Sequence, residues 1–186
     1  MSRYLPRRRD ELDAEQAELY DVITNGPRAA THSTIPLLDP QRRLLGPFGP
    51  MTIQPRVGAA IQQVGAALRF STDLSDPVRE AAILLVAAHT GCRYEWRLHE
   101  VAAASAGLSA TAIDSLRAAH VPDELDAQSR MALSLVLTLL RDGDLDDEMY
   151  TRVHEMLGER AVAELVWLVG YYSMLALALR VWRPPI

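Results

Sequence analysis

The chain has 186 residues, enough for one domain with a real core, and 49% of them are apolar, close to the globular average. The formal net charge is −5, from 24 acidic and 19 basic residues, and every basic residue is an arginine. An acidic chain with scattered arginines is a poor nucleic-acid binder, and a chain without lysine excludes pyridoxal phosphate anchoring and lysine aldolase chemistry.

The only dense basic cluster, Arg7-Arg8-Arg9, is followed at once by Asp10, Glu11, Asp13 and Glu15. Residues 1–10 therefore read as a solvated, loosely draped arm. A first helix is predicted over Asp13–Asn25, with Asp13 as N-cap and Gln16 three residues on, a capping-box spacing. Gly26-Pro27 stops it. Residues 26–55 are rich in breakers, but Ile35, Leu37, Leu38, Leu44, Leu45, Phe48 and Met51 are interleaved with them, so a structured loop is expected. Its run Gly46-Pro47-Phe48-Gly49-Pro50 is a candidate pocket wall.

Pro55 suits the first position of a helix over Pro55–Phe70. Ser75 or Asp76 before Pro77 opens the next, through Glu80 and Ala81–Ala88, and Gly91 is a natural terminator. Further helices are expected from Cys92 to Ala106, from Ser109 to Ala119, and over Asp126–Arg141, Asp146–Leu157 and Glu159–Trp182. No useful alternating run occurs, so the fold class is all-α, a single domain over 1–186 that could hold two similar halves.

Residues Ala161 to Leu179 are almost all apolar, about the length of a membrane span. Glu164, Tyr171, Tyr172 and Ser173 lie inside that run, which favours a buried bundle helix with no membrane partner. A helix apolar on every side must be covered on every side, either within the monomer or by another subunit.

Chemistry concentrates in Gly91-Cys92-Arg93-Tyr94-Glu95-Trp96-Arg97-Leu98-His99. Cys92, Glu95 and His99 stand at i, i+3 and i+7 and so share one helix face. A thiol at a helix start, a carboxylate and an imidazole form a proton-handling set. The plainer readings are a cysteine that is a small buried hydrophobe and a Glu–His pair on a helix surface. Zinc spacings are absent, so no metal site is expected. The one cysteine forbids an internal disulfide and points to a reducing, cytoplasmic setting, as does the lack of an apolar leader.

The chain resembles the carboxymuconolactone decarboxylase-like family, which includes the alkylhydroperoxidase AhpD. Leu19-Tyr20-Asp21 with Gly26-Pro27-Arg28, Gly46-Pro47-Phe48-Gly49-Pro50, Leu68-Arg69-Phe70, Arg79-Glu80, Tyr94-Glu95-Trp96 with His99, Gly107-Leu108-Ser109, Gly158-Glu159-Arg160, Glu164-Leu165 and Gly170-Tyr171-Tyr172 carry the resemblance. It implies an AhpD-like helical bundle with an N-terminal arm at 1–12, a family core at 46–125 and C-terminal helices at 126–186. The peroxidase branch has a Glu, a Cys-x-x-Cys and a His where this chain has Glu80, Cys92, Glu95 and His99. Glu95 thus replaces the second thiol, and a dithiol cycle within one chain is ruled out.

The resemblance accordingly implies the decarboxylase-like branch: acid–base chemistry on a small organic acid or lactone, decarboxylation or isomerisation, with no cofactor. His99 would shuttle the proton, Glu95 and Glu80 would tune it, and Cys92 would help line the pocket. Phe48, Tyr94, Trp96 and Arg93 are the substrate-binding candidates, although Tyr94 and Trp96 are also ordinary core residues, and Arg93 and Arg97 ordinary surface arginines. The alternatives are a single-Cys peroxidase resolved by an external thiol, and a non-catalytic ligand-binding or assembly protein. The resemblance also implies a homo-oligomer, a trimer or hexamer.

Overall fold

Helices supply the regular structure of this computed structural model, which describes residues 2–26 and 36–185. Pro27, Arg28 and Ile35, singled out above, lie outside the described residues. Among the described residues the α-helices, in chain order after a short 3-10 turn at Arg9–Glu11, are α1 (Ala14–Asn25), the single turn α2 (Phe48–Met51), α3 (Pro55–Phe70), α4 (Asp76–Thr90), α5 (Arg93–Ser105), α6 (Ala110–Arg117), α7 (Ala127–Asp142) and α8 (Asp147–Trp182). Among the described residues there is no strand, only an isolated bridge between Leu38 and Leu44.

The contacts divide the chain into two units: one runs to Ser71 and takes in the residues from Leu177 onward, and the other is Thr72–Ala176. In the first unit α3 packs against α1 and α2. Asp13 caps α1 by accepting from the Gln16 N–H at 2.9 Å, and Gln16 Oε1 accepts from the Asp13 N–H in return. Leu19, Tyr20 and Ile23 form its buried face. Tyr20 also donates its hydroxyl to the Arg42 carbonyl at 2.7 Å, fastening the loop.

The N-terminal arm departs from the draped segment expected. Tyr4 is buried, its ring so close to Gly49 that a side chain there would collide with it. The Arg3 N–H donates to the Trp182 carbonyl at 2.9 Å, and Arg9 pairs with Asp21 at 2.6 Å. An aromatic ring that removes apolar surface from water overcomes the entropy that keeps a terminus loose.

In the second unit α4 is the centre. Ala81, Ala82, Ile83, Leu84, Leu85, Val86 and Ala87 are all buried, because α5, α6 and α7 pack around it. Each of the large side chains contributes about 1.5–3 kcal/mol by leaving water. The alanines let neighbouring backbones come close. Gly91 ends α4 at φ 65°, a left-handed conformation that costs a residue with a side chain about 1–2 kcal/mol, and reverses the chain into α5.

The run α8 is interrupted at Gly158 (φ 80°, ψ 158°), so helical segments 147–157 and 159–182 meet there as the sequence predicts. Glu164, the charge within the apolar run, accepts from the Asp73 N–H at 3.1 Å, and Arg160 pairs with Asp73 at 2.6 Å. By length and composition alone α8 could cross a membrane, and half of its most apolar window is buried within the protein. The expectation that this helix is covered on all sides is not met within the chain. Val162, Leu165, Leu168, Tyr171, Tyr172 and Leu175 are buried, whereas Trp167 is 68% exposed and Leu177 63%.

Candidate active site

Glu80 stands on the second turn of α4, and Glu95 and His99 one turn apart on α5. The left-handed turn at Gly91 sends α5 back along α4, which lets residues 19 apart in sequence meet. His99 Nδ1 lies 2.7 Å from Glu80 Oε2, and His99 Nε2 lies 3.2 Å from Glu95 Oε2. All three residues are sealed from water, with 2% exposure for Glu80 and His99 and 3% for Glu95.

An ionised carboxylate only accepts hydrogen bonds, so each flanking glutamate favours a proton on the imidazole nitrogen facing it. Burial has the largest single effect on His99 and disfavours its charge. The hydrogen bonds to Glu80 and Glu95, with the charges of both, act the other way and prevail, so the imidazole binds its proton more tightly than an ordinary histidine. The result is a buried imidazole between two carboxylates that favour its protonated form. Such a group can deliver a proton to a bound carbon or oxygen and recover it.

Cys92 is the N-cap of α5, one turn before Glu95, and is buried. Its carbonyl accepts from the Trp96 N–H, and its own N–H donates to the Ala87 carbonyl, which fixes its place beside the turn. Tyr94 is buried on the same helix. Burial first, then the charges of Glu95 and Cys92, push its phenol well above its ordinary value, so the hydroxyl keeps its proton. Trp96 is buried beneath Arg117, whose guanidinium lies 4.2 Å from the ring centroid, and its indole N–H makes no hydrogen bond. Arg93 and Arg97 are exposed on the outer face of α5. Phe48 is half-buried in α2 and belongs to the first unit, whereas Glu80, Cys92, Glu95 and His99 belong to the second.

Two neighbours were not legible as site residues in the sequence. Tyr172 of α8 meets the His99 ring edge-on, with centroids 5.3 Å apart, and Tyr171 meets Tyr172 in the same manner. Arg79 places its Nε 3.7 Å from Glu80 Oε1. The Gly170-Tyr171-Tyr172 and Arg79-Glu80 elements carried the resemblance, but nothing in their spacing tied them to His99. An open pocket of about 500 Å³ in the first unit, lined by Arg8, Arg9, Tyr20, Thr24 and Arg42 among others, contains none of these groups. Among the described residues no group of three or more His, Cys, Asp or Glu side chains is arranged to hold a metal ion.

Residues 55–137 match the family described as the carboxymuconolactone decarboxylase family. No curated protein matches the chain. Among solved structures it is similar to an alkylhydroperoxidase AhpD core, a peroxidase-related protein from Ralstonia eutropha JMP134. The two are 13% identical over 99% of this chain and 92% of that one, with a TM-score of 0.75. It is similar to the debrominase Bmp8, at 13% identity over 97% of this chain and 90% of that one, TM-score 0.71. It is also similar to a cysteine-to-alanine variant of that debrominase in complex with 2,3,4-tribromopyrrole, at 12% identity over 100% of this chain and 94% of that one, TM-score 0.73. Likeness at this identity establishes the fold, and the family match lies on the helices that carry Glu80, Cys92, Glu95 and His99: residues 55–137 match the carboxymuconolactone decarboxylase family, within a chain of AhpD-like all-helical fold.

Proposed function

We propose that this protein is a cofactor-independent acid–base enzyme acting on a small organic acid or lactone, by decarboxylation or isomerisation. The observation that carries the reading is the buried His99 held between Glu80 at 2.7 Å and Glu95 at 3.2 Å. An unsaturated lactone or enone next to a carboxylate supplies its own electron sink. As the bond to the carboxylate breaks, carbon dioxide leaves and the electron pair moves into the conjugated system as an enolate. His99 then gives its proton to carbon, and the next proton is recovered from solvent. Isomerisation uses the same imidazole, which gives its proton to one carbon of the conjugated system and takes a proton back from another. General acid–base help of this kind is worth about 10²–10⁴-fold. Assaying a panel of unsaturated lactone carboxylates for carbon dioxide release and for double-bond movement tests the reading. His99→Asn is expected to lose at least about 100-fold in kcat. Turnover that survives His99→Asn ends it.

A second reading is favoured by Cys92 at the head of the same helix and by the structural likeness to a peroxidase-related protein and a debrominase. In it the Cys92 thiolate attacks the O–O bond of a hydroperoxide, the alcohol leaves and the sulfur becomes the sulfenic acid; one external thiol condenses with it to a mixed disulfide with loss of water, and a second external thiol releases Cys92 and leaves as the external disulfide. Cys92→Ser separates the two: acid–base turnover survives it and thiol chemistry does not. Binding of a small acid without turnover, weakened in His99→Asn, would instead mark a ligand-binding protein.

A further inference from the structure

Glu80 has two oxygens, and only Oε2 is engaged by His99, at 2.7 Å. Its Oε1 faces Arg79 Nε at 3.7 Å, beyond hydrogen-bond length. That Nε–H is buried and makes no hydrogen bond at all. The Arg79 side chain is only 12% exposed, and its far end is held by Asp76 at 2.6 Å, a residue 71% exposed. A guanidinium drawn mostly out of water is expensive to keep, and leaving its buried Nε–H unmade adds to the cost. Arg79 is thus anchored at the surface by Asp76 and aimed inward at the glutamate behind the imidazole.

We propose that Arg79 is a positioning residue for this site, holding Glu80 as an ionised acceptor behind His99 so that the proton the site exchanges is the one on His99 Nε2, beside Glu95. The inference rests on the proton-handling reading of the same cluster. A cation beside Oε1 opposes protonation of Glu80 and keeps its other oxygen available to Nδ1. A movement of well under an ångström brings Nε–H into hydrogen-bond range of Oε1. Glu95 has no arginine paired with it among the described residues, so the two carboxylates are unequal: one is braced from behind, the other stands at the working nitrogen. Charged and titratable groups around the cluster include Arg79 and Asp76 from α4, His99 and Glu95 from α5 with Cys92 at its head, and Tyr172 from α8.

The direction of the effect follows from charge alone. Taking a cation away from a coupled proton-binding cluster raises its proton affinity wherever the proton sits. The test is an imidazole nitrogen titration by NMR of the full chain, labelled at histidine, from about pH 5 to about 10. The chain has five histidines, and the resonances missing in His99→Asn identify His99. In Arg79→Gln the midpoint of His99 is expected to rise by about one pH unit, a tenfold gain in proton affinity, and Arg79→Lys is expected to return most of the shift. A folded Arg79→Gln whose midpoint does not move overturns the proposal, as does a wild-type His99 that does not titrate. Should Arg79→Gln not fold, Arg79→Met, which keeps the unbranched stem, replaces it. If neither folds, Arg79 is a structural residue and the proposal falls. These readouts need no substrate, so their failure leaves the acid–base function to be judged by product formation.

Discussion

His99 and Glu80 face each other across two antiparallel helices, 2.7 Å apart and shut away from water. Each is what makes the other tolerable: an unpaired carboxylate at that depth, or an unpaired imidazolium, would carry a desolvation cost of several kcal/mol. The pair therefore acts on stability as well as chemistry.

The stability it supplies depends on pH in a definite sense. His99 binds its proton more tightly in the folded protein than an ordinary imidazole, whose value is 6.5. Its contribution is fully present below that unfolded value and drains away as pH rises through the higher folded one. Urea unfolding from about pH 6 to about 9 is expected to show the wild type losing stability with rising pH, while His99→Gln, which lacks the group, loses less. At neutral pH His99→Gln should cost about 3–5 kcal/mol, since it strands two buried carboxylates. Parallel pH profiles for the two proteins would contradict this account.

Cys92 is 3% exposed at the N-cap of α5. A disulfide reagent is expected to modify it at least about 100-fold more slowly in the native protein than in urea. Because no second thiol exists, hydroperoxide turnover with a dithiol reductant should stay far below that of a two-cysteine enzyme. Fast native labelling together with robust peroxide turnover, abolished by Cys92→Ser, would promote the thiol reading over the acid–base one.

Trp96 keeps a buried indole N–H without an acceptor. Trp96→Phe removes the stranded donor and keeps most of the apolar volume, so the two effects nearly offset and stability should change by less than about 1.5 kcal/mol. Trp96→Ala should cost about 3–5 kcal/mol. If Trp96→Phe proves as damaging as Trp96→Ala, the indole N–H has a partner in solution.

The exposed apolar side chains of α8 bear on assembly. Ala163, Trp167, Gly170 and Met174 are exposed at alternating spacings of four and three, a stripe along one face. We expect a second copy of the chain to cover it. Light scattering without detergent should then give a multiple of 20.6 kDa, and Trp167→Glu should reduce it to the monomer. A wild-type mass of one chain would remove the homo-oligomer, and a chain soluble only in detergent would point to a membrane instead.

The parts of this site that could be read from sequence are those fixed by helical periodicity. Glu95 and His99 sit four apart on one helix, so their proximity follows from 3.6 residues per turn. Gly91 announced the break that folds α5 against α4, and the resemblance then paired Glu80 with His99. Tyr172 could not be found that way: it is 73 residues from His99, and its ring arrives through the crossing of α8, which no local pattern encodes. The approach of Arg117 to Trp96 is tertiary for the same reason. Tyr4 has no periodic partners at all, so its burial was invisible. Hydropathy left open whether α8 is covered within the chain or by a second copy, because it records how apolar a helix is and not how many neighbours surround it. α4 and α8 look alike on that scale, yet α4 is enclosed and α8 leaves Trp167 bare.

The enclosure of α4 limits how the surroundings of Glu80 can change. Ala81, Ala82 and Ala87 touch neighbours on all sides, so a larger residue at any of them would push helices apart and shift Glu80 with them. Enlarging any of these alanines is therefore expected to disturb Glu80 and the imidazole it holds, while the Tyr171–Tyr172 ring pair reaches His99 from α8.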